Sequence, residues 1–252
     1  MTITTDLVEA YLKCPTKCFL LSRQEVGTGN AYADWARTKS TSFCYEGIQR
    51  LVVGVAPDKC VTSTAATENP RVTQWRLAID LEARSRNLQC SCHAVECIPS
   101  LGRDKAVQFM PIRFVFRNKP TRDDKLLIAF DSLILSEMLN RTINYGKILY
   151  GDNYAALRVK TSALADDVRK LTERIGRLLA SASPPDLVLN RHCAECEFQF
   201  RCRQKAIDHD DLSLLGSMTE KERAEFKSKG IFTVTQLVTV QISGLDKFRG
   251  MS

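Results

Sequence analysis

The sequence contains ten cysteines, and three of them lie close together in its C-terminal quarter. Cys193, Cys196 and Cys202 form the pattern C-x2-C-x5-C in the segment HCAECEFQFRC. Two residues between cysteines allow both sulfurs to face one metal centre, and Cys202 can return to that centre on the following helical turn. Three thiolates leave a four-ligand site one donor short. We expect Cys14 or Cys18, at the other end of the chain, to complete it.

Two kinds of centre suit four thiolates, and the spacing does not separate them. Zinc is commonly held by four cysteines or by cysteines and histidines, so His192 and His209 are candidate nitrogen ligands. Iron–sulfur clusters are also held by four thiolates. The remaining five cysteines are scattered among apolar residues and are predicted to be small buried hydrophobic side chains. They are Cys44, Cys60, Cys90, Cys92 and Cys97.

The composition limits the class of protein. Hydrophobic residues make up 44% of the 252 residues and charged residues 26%, as in ordinary soluble proteins. There is no run of about 18 apolar residues, which a membrane helix needs, and the start MTITTDLVEAYLKC is unlike a signal peptide. We therefore expect a cytoplasmic protein without a membrane partner. The net charge of +7 suits a polyanionic partner without establishing one.

Hydrophobic periodicity predicts an α/β core. Apolar residues at spacings of three and four predict helices over 6–20, interrupted at Pro15, and over 31–53, 121–139 and 162–181. In the second helix we expect four core positions: Trp35, Phe43, Ile48 and Leu51. Alternating patterns predict strands over 72–86, 87–98 and 106–116, and a hairpin formed by 146–151 and 156–161. In the third strand one face is apolar and the other, with Arg113, is mixed, which predicts a sheet covered on one side.

Motifs at both ends of the chain resemble a group of nucleases. The segment CPTKCFL, with C-x2-C-x5-C after the last core helix, resembles the iron–sulfur RecB-like nucleases, which include CRISPR-associated exonucleases and AddB-type helicase–nucleases. The longer match PPDLVLNRHCAECEFQFRCRQKA…DDLSLL…KGIFTVTQL is similar to a bacterial RecB-like nuclease family. Its members are often followed by a ribonuclease H-like region and a superfamily-one helicase. The resemblance covers most of residues 5–237.

The resemblance implies a fold and a cofactor. The expected fold is a restriction-endonuclease-like, PD-(D/E)XK, α/β core whose terminal helical segments are joined by a cysteine cluster, followed by a small helical tail. The domains would be 1–206 and 207–252. In such proteins a 4Fe–4S cluster is held by four cysteines, with zinc as the alternative here and Cys18 as the alternative to the first ligand. The implied ligands are Cys14, Cys193, Cys196 and Cys202.

The resemblance also implies where a nuclease site would lie. Related enzymes hold Mg²⁺ or Mn²⁺ with an Asp on one strand and a Glu-x-Lys on the next. By position the Asp falls at or near His93 and the Glu-x-Lys near Arg113, so neither pattern is present. Glu96, on the first of these strands, is a candidate replacement. Three hypotheses follow: a metal-dependent DNA nuclease, a non-catalytic DNA-binding module of a helicase system, and a zinc-stapled structural adapter.

The tail resembles half of a helix–hairpin–helix unit. Such turns bind DNA phosphates through amides at a helix N-terminus, and nearby lysines add charge. The candidate DNA contacts are Lys227, Lys229 and Gly230. The implied partners are DNA, most simply single-stranded, and a helicase domain or subunit. After Leu237 the chain stops resembling the family, and truncation of a longer gene product is one hypothesis.

Overall fold

The computed structural model describes residues 1–62, 75–99, 107–216 and 218–240, and the fold is a mixed α/β architecture around a mixed seven-stranded sheet. Within these ranges no helix has the length and apolar character required to cross a membrane. The strands are β1 (Ile3–Thr4), β2 (Cys60–Thr62), β3 (Leu77–Ser85), β4 (Leu88–Ile98), β5 (Gln108–Val115), β6 (Tyr145–Tyr150) and β7 (Ala155–Lys160).

The helices begin and end close to where local sequence signals predict. Pro15 is the first residue of the second helix, where its missing N–H costs nothing, so the chain breaks at Cys14 as expected. Thr121 and Asp124 form the predicted capping box of the fourth helix. The helices are α1 (Thr5–Lys13), α2 (Pro15–Ser22), α3 (Ala31–Val53), α4 (Arg122–Leu139), α5 (Ala165–Ala180), α6 (Gln199–Asp208), α7 (Glu220–Ser228) and α8 (234–240).

The sheet order is β2-β3-β4-β5-β6-β7, and β1 adds to the beginning of β4. The pairs β3–β4, β4–β5 and β6–β7 are antiparallel, whereas β2–β3 and β5–β6 are parallel. Helix α4 forms the crossover that the parallel β5–β6 pair requires. The hairpin β6–β7 turns at Gly151, whose φ of +66° is readily adopted by glycine, and this hairpin was predicted at the same place.

Both faces of the central strands are covered, so the prediction of a sheet covered on one side is wrong. The larger core lies against α1, α4 and α5 and includes Phe130 and Ile175. A smaller core lies under α3 and includes Phe43 and Phe114. The sequence expectation failed at Arg113, because this charged residue is itself buried rather than facing solvent.

Of the four core positions predicted in helix α3, three are buried or partly buried and one is exposed. Phe43 is buried as predicted, and Ile48 and Leu51 pack partly buried against the smaller core. Trp35, predicted to be a core residue, is 51% exposed, and its ring stacks on that of Tyr32. Trp35 fits the helical period of the apolar positions but faces solvent, whereas Ala33, near it at the start of the same helix, is buried.

The tail has a small apolar cluster of its own, formed by Leu212, Ile231 and Leu237. The domain boundary predicted after residue 206 falls inside α6, which continues to Asp208. Arg223 joins the tail to the preceding segment by donating to the carbonyl oxygen of Leu187.

Candidate metal centre

The four cysteines expected to bind a metal centre line one cavity. Cys14 lies at the junction of α1 and α2, where the backbone is extended. Cys193 belongs to a 3-10 turn, Cys196 directly follows that turn, and Cys202 lies in α6. Both ends of the large core domain therefore contribute sulfurs to the same place, as the sequence predicted.

Hydrogen bonds around Asn190 hold the cysteine turn against α1. The Asn190 side chain caps the turn by accepting from the His192 amide, and it donates to the carbonyl oxygen of Lys13 at 3.1 Å. The backbone N–H of Asn190 donates to Cys193 Sγ at 3.3 Å. Such N–H groups are the usual stabilisers of metal-bound thiolates.

The thiols in this cavity oppose one another's ionisation. Burial, together with the neighbouring Cys196, Cys14 and Cys193, raises the pKa of Cys202 to about 11. Burial also raises the pKa of Cys193, partly offset by the Asn190 N–H. Several thiolates at one place therefore need a bound cation to balance them.

The rival ligands are placed differently. Cys18 is fully buried and belongs to the main apolar core rather than to the cavity lining, and burial followed by Cys14 raises its pKa to about 12. His192 lines the cavity together with the four cysteines, whereas His209 is exposed at the end of α6. Cys14 therefore lines the cavity and Cys18 does not, and His192 is the candidate imidazole that lies beside the four cysteines.

Four cysteine side chains are a donor set that suits either a single zinc ion or an iron–sulfur cluster. A tetrahedral zinc site with Zn–S bonds of about 2.3 Å brings its sulfurs to roughly 3.8 Å from one another. Among the described residues, no three of the cavity cysteines have sulfurs that all lie within 4.8 Å of one another. A zinc ion bound by three or four of these cysteines would therefore draw their sulfurs closer together than they lie in this structure.

The N-terminus of α3 is tied to the cavity wall. Asn30 caps α3, and its side-chain amide donates to the Ala194 carbonyl at 3.0 Å and to Gln199 Oε1 at 2.8 Å. Lys17 and Glu197 form an ion pair of 2.7 Å across the junction of α2 and the cysteine segment. The cavity is thus held by three segments distant in sequence.

His93, where an aspartate of the nuclease pattern was expected, is a structural acceptor in the strand. Its Nδ1 accepts the Phe114 backbone N–H at 3.1 Å, just beyond the last β4–β5 pair, Ala94 with Ile112. Burial, with a contribution from Arg113, lowers the pKa of His93 to about 3. A neutral imidazole therefore fills the gap where β4 and β5 separate.

Arg113, where the Glu-x-Lys pattern was expected, forms a buried ion pair. Its Nη2 and Nε donate to Asp131 Oδ2 at 2.8 and 3.3 Å. Glu96 instead pairs with Lys147, on β6, at 2.7 Å. His93 and Arg113 are brought close together, but Glu96 is directed to a different partner. At the two positions of the expected pattern the protein therefore has a neutral base and a cation, where Mg²⁺ binding in the related enzymes uses carboxylate oxygens.

A second cysteine group was missed in the sequence. Cys90 and Cys92 are fully buried, their sulfurs are 3.8 Å apart, and with a carboxylate oxygen of Asp131 they form a set of atoms within 4.8 Å that could hold a metal ion. The signal available was C-x-C in a strand, which places both thiols on one face. Cys97 is buried as predicted, and Cys44 and Cys60 are partly buried.

The candidate DNA contacts of the tail are engaged within the protein. Lys227 pairs with Asp186 at 3.3 Å, and Lys229 pairs with Glu225 at 2.7 Å. Gly230, with φ of +79°, ends α7 in a Schellman turn, in which its N–H donates to the Lys227 carbonyl. This glycine therefore has a helix-ending role.

The amides at the start of α8 are occupied as well. The Val234 N–H donates to the Asp210 carbonyl at 2.9 Å, and the Thr235 N–H donates to the Asp210 carboxylate at 2.8 Å. The Gln236 N–H donates to Thr233 Oγ1. The amides that would contact a phosphate in the expected DNA-binding turn are thus used inside the tail.

Comparison with known proteins does not identify the chain. No protein-family model matches it, and no curated protein matches it. A solved structure described as "Crystal structure of SSO0001" aligns over 81% of this chain and 86% of that chain, with 14% identity and a TM-score of 0.40. A likeness of this degree carries no argument about fold or function.

Proposed function

We propose that the protein is a catalytically silent, RecB-like nuclease module that is stapled by a 4Fe–4S cluster and binds single-stranded DNA. The observation that carries the proposal is the meeting of Cys14, Cys193, Cys196 and Cys202 around one cavity. Bound there, a cluster would supply a covalent cross-link between the first helices and the segment that follows the core. The preference for a cluster over a single zinc ion rests on the resemblance of CPTKCFL and the C-x2-C-x5-C segment to the iron–sulfur RecB-like nucleases.

Catalytic silence is supported by the chemistry at the expected nuclease positions. His93 is neutral and Arg113 is a cation paired with Asp131, so neither position where the nuclease pattern places its Asp and Glu carries a carboxylate. Metal-assisted phosphodiester cleavage requires a hard dication to activate water and polarise the phosphate. Binding without cleavage is therefore the expected outcome.

DNA binding is supported by an exposed aromatic surface beside the cysteine cavity. Tyr32 and Trp35 stack with ring centroids 5.5 Å apart, and Phe200 is 70% exposed. Tyr32 and Phe200 each lie within two residues of the Asn30–Gln199 hydrogen bond that joins α3 to α6. Single-stranded nucleic acid binds such platforms by base stacking, with basic residues tracking the phosphates. Arg37 and Lys39 are exposed on the same helix as the stacked pair.

The test uses the full chain purified anaerobically. We expect about four irons and four acid-labile sulfides per chain, as a 4Fe–4S cluster requires. Binding to a labelled oligodeoxythymidylate should weaken steeply with salt, and no product should form on incubation with Mn²⁺. Any cleavage is then tested in Glu96→Ala. Its matched control is Glu82→Ala, on the neighbouring strand β3.

Each other outcome selects a different function. One zinc per chain and no salt-dependent DNA binding would make the protein a zinc-stapled adapter. Cleavage that Glu96→Ala abolishes and Glu82→Ala leaves intact would make it an active nuclease. A cluster-containing protein with no affinity for single-stranded DNA would contradict the binding function while leaving the staple in place.

A further inference from the structure

We propose that Cys90, Cys92 and Asp131 form a second metal site, one that binds a soft divalent cation of the zinc and cadmium class. The three residues come from β4 and α4, on the face of the sheet opposite to α3. Both cysteines are fully buried and Asp131 is 2% exposed. This site is separate from the four-cysteine cavity, and it does not depend on the function proposed above.

The spacing of the sulfurs fits one tetrahedral ion. Cys90 Sγ and Cys92 Sγ lie 3.8 Å apart. Two ligands of a tetrahedral zinc ion with bonds of about 2.3 Å are separated by roughly 3.8 Å. One carboxylate oxygen of Asp131 lies within 4.8 Å of both sulfurs, so a third ligand can close on the same point.

A buried oxygen at this place lacks a partner. Asp131 Oδ2 accepts from Arg113, whereas Asp131 Oδ1 is buried and accepts no hydrogen bond in the described part of the chain. A buried acceptor without a hydrogen bond is unfavourable, and more so when it is charged. Oδ1 is therefore the oxygen left for a cation. Arg113 would orient the carboxylate from behind, as second-shell partners of metal ligands commonly do.

The charges and protons of the binding step balance. Before binding, two neutral thiols stand beside the Asp131–Arg113 ion pair, with no net charge. On binding, the two S–H bonds break, two metal–sulfur bonds and one metal–oxygen bond form, and two protons leave to solvent. Two thiolates, one carboxylate, one guanidinium and a divalent cation again sum to zero, so no uncompensated charge is buried.

The donor set selects the kind of metal. Thiolates favour soft and borderline cations, whereas Mg²⁺ and Ca²⁺ require oxygen ligands. Three protein ligands leave the fourth tetrahedral position open, which in zinc sites of this type is filled by water. The buried thiols, which would otherwise be only core side chains, thereby acquire a specific function.

Cadmium is the probe, because it binds thiolates strongly and does not form the iron–sulfur centre. The full chain is loaded with Cd²⁺ under reducing conditions, and bound cadmium per chain is compared between the parent and Cys90→Val, Cys92→Val and Cys97→Val. Valine keeps the side chain apolar and suits a strand. Cys97→Val is the matched control, because Cys97 is buried in the same strand and the same core.

The differences between variants report on this site alone, since the cavity cysteines are present in every variant. We expect Cys90→Val and Cys92→Val each to bind one cadmium fewer than the parent and to release two fewer protons on loading. Cys97→Val should match the parent. Equal cadmium in all four proteins, or an equal loss in Cys97→Val, would overturn the site. Circular dichroism identifies a variant that fails to fold, and the other cysteine variant then decides.

Discussion

The two cysteine groups use the same side chain in opposite structural settings. Those of the cavity come from the two ends of the core domain and are only partly buried apart from Cys196. The pair Cys90 and Cys92 lies two residues apart in one strand, is fully buried and has sulfurs 3.8 Å apart.

Because of this difference, a metal bound in the cavity and a metal bound by the strand pair should affect the stability of the protein differently. A centre in the cavity would join segments roughly 180 residues apart and so restrict the unfolded chain strongly. A metal on Cys90 and Cys92 would link one strand to one helix, where the loop is short and the surrounding core is already packed. We therefore expect the cavity to govern global stability and the strand pair to govern local charge and hydrogen bonding.

The largest effect is expected from Cys14→Ser. Losing one of four ligands should release the cluster and lower the free energy of unfolding by about 5 kcal/mol, the loop-closure value for a cross-link of this span. Iron and sulfide analysis with urea denaturation measures both quantities. Cys18→Ala, one helical turn away, should retain the iron and cost only about 1 kcal/mol for lost packing. If Cys18→Ala removed the iron and Cys14→Ser did not, the ligand assignment would be reversed.

Arg113→Met tests the charge balance of the strand region. It would leave Asp131 buried without its partner, and breaking such a pair typically costs about 3–5 kcal/mol. The matched control is Lys147→Met, because its pair with Glu96 is partly exposed and should contribute less than about 1 kcal/mol. The double variant Arg113→Met/Asp131→Leu should recover much of the loss. Similar urea midpoints for the two single variants would mean that the buried pair contributes no more to stability than the partly exposed one.

The pH dependence of the free energy of unfolding tests the strand region by way of His93, which lies on β4 and outside the cavity. Its pKa in the folded protein is about 3, below the usual value of 6.5, so at pH 5 the unfolded chain binds a proton that the folded chain does not. Stability that is present above pH 6.5 is therefore lost as the pH falls towards 3. Between pH 7 and 5 the loss should be about 2 kcal/mol.

The variant His93→Asn isolates this contribution, because its amide oxygen can still accept the Phe114 N–H. We expect the fall in urea midpoint between pH 7 and 5 to be smaller in His93→Asn than in the parent. The control variant is His209→Asn, which changes an exposed histidine at the end of α6. If the free energy of unfolding of the parent did not change between pH 7 and 5, the folded protein would not disfavour protonation of His93.

Local signals predicted much of the fold and one of the two cysteine groups. Cys14, at the other end of the core domain, was assigned to the cavity group through the resemblance. The break at Pro15, the hairpin at Gly151 and the grouping of Cys193, Cys196 and Cys202 depend on residues close together in sequence. The pairing of Arg113 with Asp131 does not, because it joins a strand to a helix across the core. From the sequence, Arg113 was assigned to the mixed face of the third strand, and no sequence signal linked it to Asp131.

The choice between Cys14 and Cys18 depends partly on local sequence and partly on tertiary packing. Pro15 predicts a helix start, and the residue before a proline favours an extended backbone, which is what Cys14 adopts. Cys18, one turn into α2, falls on the face that packs into the core. The burial of Cys18 depends on which face of α2 packs against the core, and only the folded structure determines that.

The smallest expected effect concerns the exposed surface beside the cavity. Trp35→Ala removes one member of the stacked pair on α3 without touching the core, so the free energy of unfolding should change by less than about 0.5 kcal/mol. Affinity for single-stranded DNA should fall about fivefold to tenfold, since one base-stacking contact contributes about 1–3 kcal/mol.

Fluorescence anisotropy with a labelled oligodeoxythymidylate measures the change in affinity, and Tyr45→Ala is its control. Tyr45 is 65% exposed on the same helix but lies roughly three turns further along it. If both variants weakened binding equally, the contact would be non-specific along α3. If only Trp35→Ala weakened it, the binding surface would adjoin the cavity, and the buried Cys90–Cys92 pair would have no direct part in recognising DNA.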